Sequence, residues 1–157
     1  MGKFNDKISA EFHPPRKWVL ERALSYTNKD LDVDALREIG AQITAGGKIT
    51  CKKDFVTDLA SVPRICWMLI APWDIARAAI IHDLLYKRIR QYRAKLDKDN
   101  LQYDQISAYK DAKKEADKVF LAAMKDADPS VPKWKIYSAY YSVVLFGRWS
   151  IIPREED

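Results

Sequence analysis

No apolar run in this sequence approaches the roughly 20 residues that a bilayer core demands, which argues against a membrane-spanning helix. The opening stretch, MGKFNDKISAEFHPP, lacks the apolar centre of a secretory signal, and Asp6 stands where a myristoylation motif wants Ser or Thr. Cysteine is scarce. Cys51 and Cys66 make no disulfide framework and match no metal-ligand spacing, so both are expected to be reduced and semi-buried, as in a cytoplasmic protein. There is no Walker loop, no dinucleotide fingerprint and no Cys-His zinc spacing. His13 and His82 are the only histidines, too few for the metal-dependent HD phosphohydrolases, which need more. Neither sign of charge dominates: 27 Lys and Arg against 22 acids leave a formal +5. That bias favours contact with nucleic acid or anionic lipid. The signs mix along the chain, however, and specific nucleic-acid binding is not indicated.

What is present reads as strands first and helices later. At 157 residues the chain is one domain's worth, expected over 1–157, with an N-terminal arm at 1–16, a charged insertion at 88–105 and an extended tail at 148–157. Residues 17–27 place Trp18, Leu20, Leu24 and Tyr26 on one face at period two, which predicts a half-buried strand. The segment AQITAGGKITCKKDF carries two β-branched runs around Gly46 and Gly47, which predicts a β-hairpin. Pro72 offers a helix start whose inward face is Ile75, Ala78, Ala79, His82, Leu85, Tyr86 and Ile89. A second helix is expected from about Asp104 to Ala127, packing Ala112, Ala116, Val119, Phe120, Ala123 and Met124. A third should run from Lys133 to Phe146 and stop at Gly147 as a C-terminal cap, with Trp134, Tyr137, Tyr141, Val144 and Leu145 on one side. Those aromatics, with Tyr140, read either as core or as a partner-binding strip. The expected fold is α+β: a small N-terminal antiparallel sheet or hairpin packed on a bundle of about three helices.

Within AAIIHDLLYK, His82 sits at the centre of an apolar stripe. A buried imidazole needs a partner, because an unsatisfied polar group costs about 1–3 kcal/mol. Asp117, at the edge of the second helix's apolar face, is the expected partner. Asp83 is turned about 100° from His82 around the helix and is expected to look outward, toward a cleft or an ion. One carboxylate orienting a histidine and another free to bind a cation is an arrangement that activates water. Core packing beside a surface charge is the competing reading of the same residues.

Two resemblances follow from these motifs. DFVTDLASVPR (Asp54 to Arg64), AAIIHDLLY (Ala78 to Tyr86), EADKVFLAAM (Glu115 to Met124) and the later Tyr140, Phe146 and Gly147 resemble a phage and prophage family known as domain of unknown function 1353. The chain departs from it where a Pro-Ala-Gly turn usually precedes the Phe of the first motif. Lys52, Lys53 and Asp54 stand there instead, a turn that Asp tolerates. More distantly, His-Asp-x-x-Tyr on one helix and Asp three residues before Phe on a later one look like the catalytic helix pair of phospholipases A2. That resemblance implies His82 as general base, Asp117 as the carboxylate orienting it, Tyr86 as a hydrogen-bond partner of Asp117 and Asp83 as a calcium ligand. The glycine-rich calcium loop of those enzymes is missing. Asp58, Leu59, Ala60 and Ser61 are the substitute oxygen source, since Ca²⁺ takes 6–8 oxygens in flexible geometry. Thr57, Ser61 and Arg64 would shape the site. The bland alternative for Asp58, Ser61 and Arg64 is a hydrogen-bonded turn before Pro63. Trp67 and Trp73 line an acyl pocket or simply pack.

Three functions stay open on the sequence. One is a phage-encoded, virion- or tail-associated ester hydrolase with a phospholipase-A2-like His-Asp site. Another is a non-catalytic virion or tail assembly protein. The last is an intracellular factor binding a host protein. The corresponding partners are other phage proteins, a second copy of the chain, or a lipid surface. The location is host cytoplasm or assembled virion.

Overall fold

Residues 1–59, 72–127 and 131–157 are described by this computed structural model, with residues 72–74 described as helical backbone alone. The fold is α+β, with strands toward the N-terminus and long helices after them. Among the described residues, six short strands make two three-stranded antiparallel sheets. In the first, β4 (Leu24–Thr27) lies between β1 (Lys3–Phe4) and β5 (Lys48–Cys51). In the second, β3 (Lys17–Leu20) lies between β2 (Ala10–His13) and β6 (Val56–Thr57). The helices among the described residues are α1 (Asp34–Glu38), α2 (Pro72–Ala94), α3 (Tyr103–Ala127) and α4 (Lys133–Ser150).

The single strand expected at 17–27 is therefore two strands in different sheets. Leu20 and Leu24 keep the same period-two face, so the apolar pattern does not register the break between them. The backbone does: Leu20 N–H donates to Phe55 O, and Asp54 N–H donates to Leu20 O. Asp54 adopts φ +68°, the left-handed turn conformation that aspartate accepts more readily than most residues. The hairpin expected around Gly46 and Gly47 shrinks to one bridge, Ile43 to Ile49, because β5 pairs instead with β4 from Leu24↔Cys51 to Thr27↔Lys48. Gly47 has φ +76°, and a Cβ there would overlap the carbonyl of Asn28. The turn requires glycine for both reasons.

The arm expected at 1–16 supplies β1 and β2. Gly2 N–H donates to Asp126 at 2.9 Å, and Tyr26 Oη donates to the same oxygen at 2.6 Å. Helix α1 has no side-chain cap of its own. Glu115 of α3 takes that role from outside, accepting from Ala35 N–H and Leu36 N–H at 3.2 and 2.9 Å. A carboxylate is favoured there by the partial positive charge of the helix start.

The long helices follow the periodicity of the sequence closely, with α2 most enclosed. Its expected inward face, Ile75 through Ile89, is buried, and so are Ala76, Ile80, Ile81 and Arg90 on other sides. The expected inward face of α3 is likewise buried. Of the two readings of the charged segment at 88–105, a solvated helix extension or a surface insertion, residues 88–94 take the first, as the end of α2. Arg90 is 4% exposed and donates to Asp157 at 2.8 Å. That pair also corrects the tail: 148–150 continue α4, Ile151 is buried, and Asp157 is folded back against α2.

Helix α4 departs most from expectation. It does not stop at Gly147, which is buried inside it. A Cβ at Gly147 would overlap the Tyr86 hydroxyl and press on Lys113, so glycine serves a close helix approach and not a cap. The inward face is Ile136, Ala139, Ser142, Val143 and Gly147. Trp134 and Tyr141, with core as one of their two readings, are each 57% exposed, and Leu145 on the same side is 63% exposed.

Candidate functional site

Helices α2 and α3 pack side by side, and their facing positions bring together the residues that the sequence singled out. His82 Nε2 lies 2.9 Å from Asp117 Oδ1. Tyr86, one turn along α2, donates its hydroxyl to the same Oδ1 at 2.6 Å. The imidazole also packs against two tilted rings, 4.0 Å from Tyr86 and 4.7 Å from Phe120, centroid to centroid. Lys113, one turn before Asp117 on α3, donates to the other oxygen, Oδ2, at 2.7 Å and to Val143 O at 3.2 Å. Both oxygens of Asp117 are thus held by donors from α2 and α3, and Lys113 ties α4 into the same knot.

The electrostatics follow from this geometry. Burial pushes the Asp117 carboxyl up, but the bond and charge of His82, with the donors Lys113 and Tyr86, outweigh it and hold the group below the usual carboxylate range. Burial, and then the Asp117 charge, push the Tyr86 hydroxyl well above its ordinary value. Tyr86 is therefore a fixed hydrogen-bond donor. Sequence reasoning missed Lys113, whose one signal is its spacing of four from Asp117.

Asp83 differs from expectation. It does not face outward, since it is 4% exposed: α2 is covered on that side too, by Thr57 of β6. Thr57 Oγ1 donates to Asp83 Oδ2 at 2.6 Å and accepts from Leu59 N–H at 3.1 Å, so Thr57 links the chain after β6 to α2. Asp83 Oδ1 is buried and has no hydrogen-bond partner among the described residues. Burial raises the Asp83 pKa; the Thr57 bond opposes this, the nearby Asp58 charge adds to it, and Arg90 and His82 oppose it. Asp58 is partly exposed, 3.5 Å from Arg154 Nη1. Ser61 and Arg64, with Cys66, Trp67 and the Trp73 side chain, lie outside the described residues. Cys51 is fully buried and burial pushes its thiol up, which leaves it inert.

A calcium ion fits these residues poorly. Asp83, Asp58, Glu156 and Asp157 line a cleft of about 100 Å³, but Lys17, Lys87, Arg90 and Arg154 line it too and match them in number. Those cations supply the positive charge that a metal would bring. Among the described residues, no group of three or more His, Cys, Asp or Glu is arranged to hold a metal ion.

Asp83→Asn is expected to stabilise the protein near neutral pH, because the amide carries no charge to bury while its oxygen still accepts from Thr57 Oγ1. The sign follows from the raised pKa. The native state holds the Asp83 proton more tightly than the unfolded state does, so this group's contribution falls as pH rises above its ordinary 3.8. The advantage of the variant should therefore shrink as pH falls toward that value. Urea melts of both proteins across that range check it, and an unchanged or lower stability of the variant at neutral pH would refute it.

The family model described as "Protein of unknown function (DUF1353)" matches residues 35–143, most of the chain. The chain belongs to that family. The matched span contains every member of the His82, Tyr86, Lys113 and Asp117 cluster and, at its edge, Val143. No curated protein and no solved structure matches this DUF1353 chain.

Proposed function

We propose that this is a phage-encoded ester hydrolase whose general base is His82, positioned by Asp117. The observation that carries the reading is the shared carboxylate. Asp117 Oδ1 receives both His82 Nε2 and the Tyr86 hydroxyl, as the phospholipase A2 resemblance implies. In this reading His82 takes a proton from water, and the resulting hydroxide adds to the ester carbonyl. Asp117 stabilises the imidazolium, which returns its proton to the departing alcohol as the acyl–oxygen bond breaks. Tyr86 and Lys113 act through Asp117 as positioning residues. No step is routed through calcium. His82 exposes none of its surface, so water and ester reach it only through a local opening.

The test is hydrolysis of short soluble esters and of phospholipid vesicles, with calcium and with chelator. Turnover should fall about 10²–10⁴-fold in His82→Gln, the range typical of general base catalysis. Absence of turnover by the parent protein under every condition, or full turnover by His82→Gln, would refute the reading.

One observation favours a second reading. A fully buried histidine with both oxygens of its carboxylate partner already taken is also how a polar keystone between three helices is built. In that case the protein is a non-catalytic virion or tail component, and the same assay returns nothing.

A further inference from the structure

Helix α4 is basic and aromatic on the side that faces solvent. Trp134, Tyr137, Tyr141, Leu145, Arg148 and Trp149 recur at three- and four-residue spacing and are all exposed. Trp134, Tyr141, Leu145 and Trp149 each leave more than half of their surface bare. An apolar stripe of that size on a surface helix marks something that docks there.

The charges on the stripe narrow the occupant. Its sequence, KWKIYSAYYSVVLFGRWS, contains three cations and no acid. The cations sit against the rings: Arg148 Cζ is 4.2 Å from the Trp149 centroid, and Lys125 at the end of α3 has its Nζ 5.0 Å from that of Tyr137. Two copies packing α4 on α4 would bury cations against cations with no acid on either helix, which disfavours self-association. Tryptophan and tyrosine beside Lys and Arg suit a headgroup boundary, where the rings enter the acyl edge and the cations meet anionic headgroups. Among the described residues no helix is long and apolar enough to cross a membrane, so contact through α4 would lie along a bilayer surface.

We propose that the exposed face of α4 binds an anionic lipid surface. This stands apart from the hydrolase reading, since binding is measured without turnover. The experiment is co-sedimentation of the full chain with vesicles of phosphatidylcholine, with and without phosphatidylglycerol, read together with tryptophan emission. Binding with a blue shift is expected only with the anionic lipid and should weaken with salt. Arg148→Glu, which reverses one charge on the stripe, should weaken binding at least fivefold, the effect of about one basic residue near such a surface. Tyr141→Glu with Leu145→Glu should abolish it. All three positions are exposed, so unchanged thermal melts confirm that the variants fold. Lack of binding to anionic vesicles, equal binding to both vesicle types, or a dimer in solution that Leu145→Glu dissociates would each overturn the proposal.

Discussion

Asp117→Ala should destabilise the protein by about 3–5 kcal/mol, the usual cost of removing one partner from a buried charged network. The loss is large because one carboxylate serves three donors. Without it the buried imidazole of His82 and hydroxyl of Tyr86 lose their acceptor, and Lys113 keeps a charge, largely buried, with carbonyl oxygens alone. Asp117→Asn should cost less, since the amide oxygen still accepts from Tyr86 or His82. The two variants also differ from the parent in acid. The folded pKa of Asp117 lies below its ordinary 3.8, so its stabilisation is present above that value and is lost as pH falls through the folded pKa. The acid limb of the stability profile should therefore be shallower in Asp117→Asn. Urea denaturation of the three proteins from neutral pH into acid measures both effects, and a loss below about 1 kcal/mol for Asp117→Ala would contradict the shared-carboxylate account.

The second large effect is expected at Gly147. In an open helix, glycine to alanine gains about 1 kcal/mol from backbone entropy. Here the added methyl overlaps the Tyr86 hydroxyl, and the expected result is a net loss of about 1–3 kcal/mol from overpacking. Because the closest overlap is with the Tyr86 hydroxyl, Tyr86→Phe should relieve part of it. The double variant should then be more stable than the sum of the two single changes implies, a coupling of the kind seen between touching residues. Strict additivity, or a stabilising Gly147→Ala, would show that α4 does not approach α2 through this glycine.

Much of α2 and α3 was legible because both helices bury a stripe of period 3.6, and that stripe is written in residue type. It named the buried face of His82 and put Asp117 within reach of it. The misses share a different cause. Leu20 and Leu24 have the same parity, so a change of sheet between them leaves no mark. Gly147 looks like a cap unless its contact with Tyr86, some sixty residues earlier, is known. Asp83 appeared to point outward because two sides of a helix usually have unlike environments, whereas β6 covers the second side of α2 as well. Lys113 and Arg90 read as solvated charges, yet their long side chains find carboxylates in the interior, Asp117 and Asp157. Tyr141 and Leu145 show the limit of apolar spacing as a guide: it detects a face, but not whether the protein itself covers it.

The claim on which the functional reading rests is that Asp117 fixes the orientation and tautomer of His82. An ionised Asp117 that already accepts the Tyr86 hydroxyl needs a donor from the ring, which places the imidazole proton on Nε2. Nitrogen-15 chemical shifts of the His82 ring, recorded where the imidazole carries a single proton, measure this directly. The account predicts that proton on Nε2 in the parent protein and a mixture of tautomers in Asp117→Asn. A single proton on Nδ1, unchanged by Asp117→Asn, would contradict it.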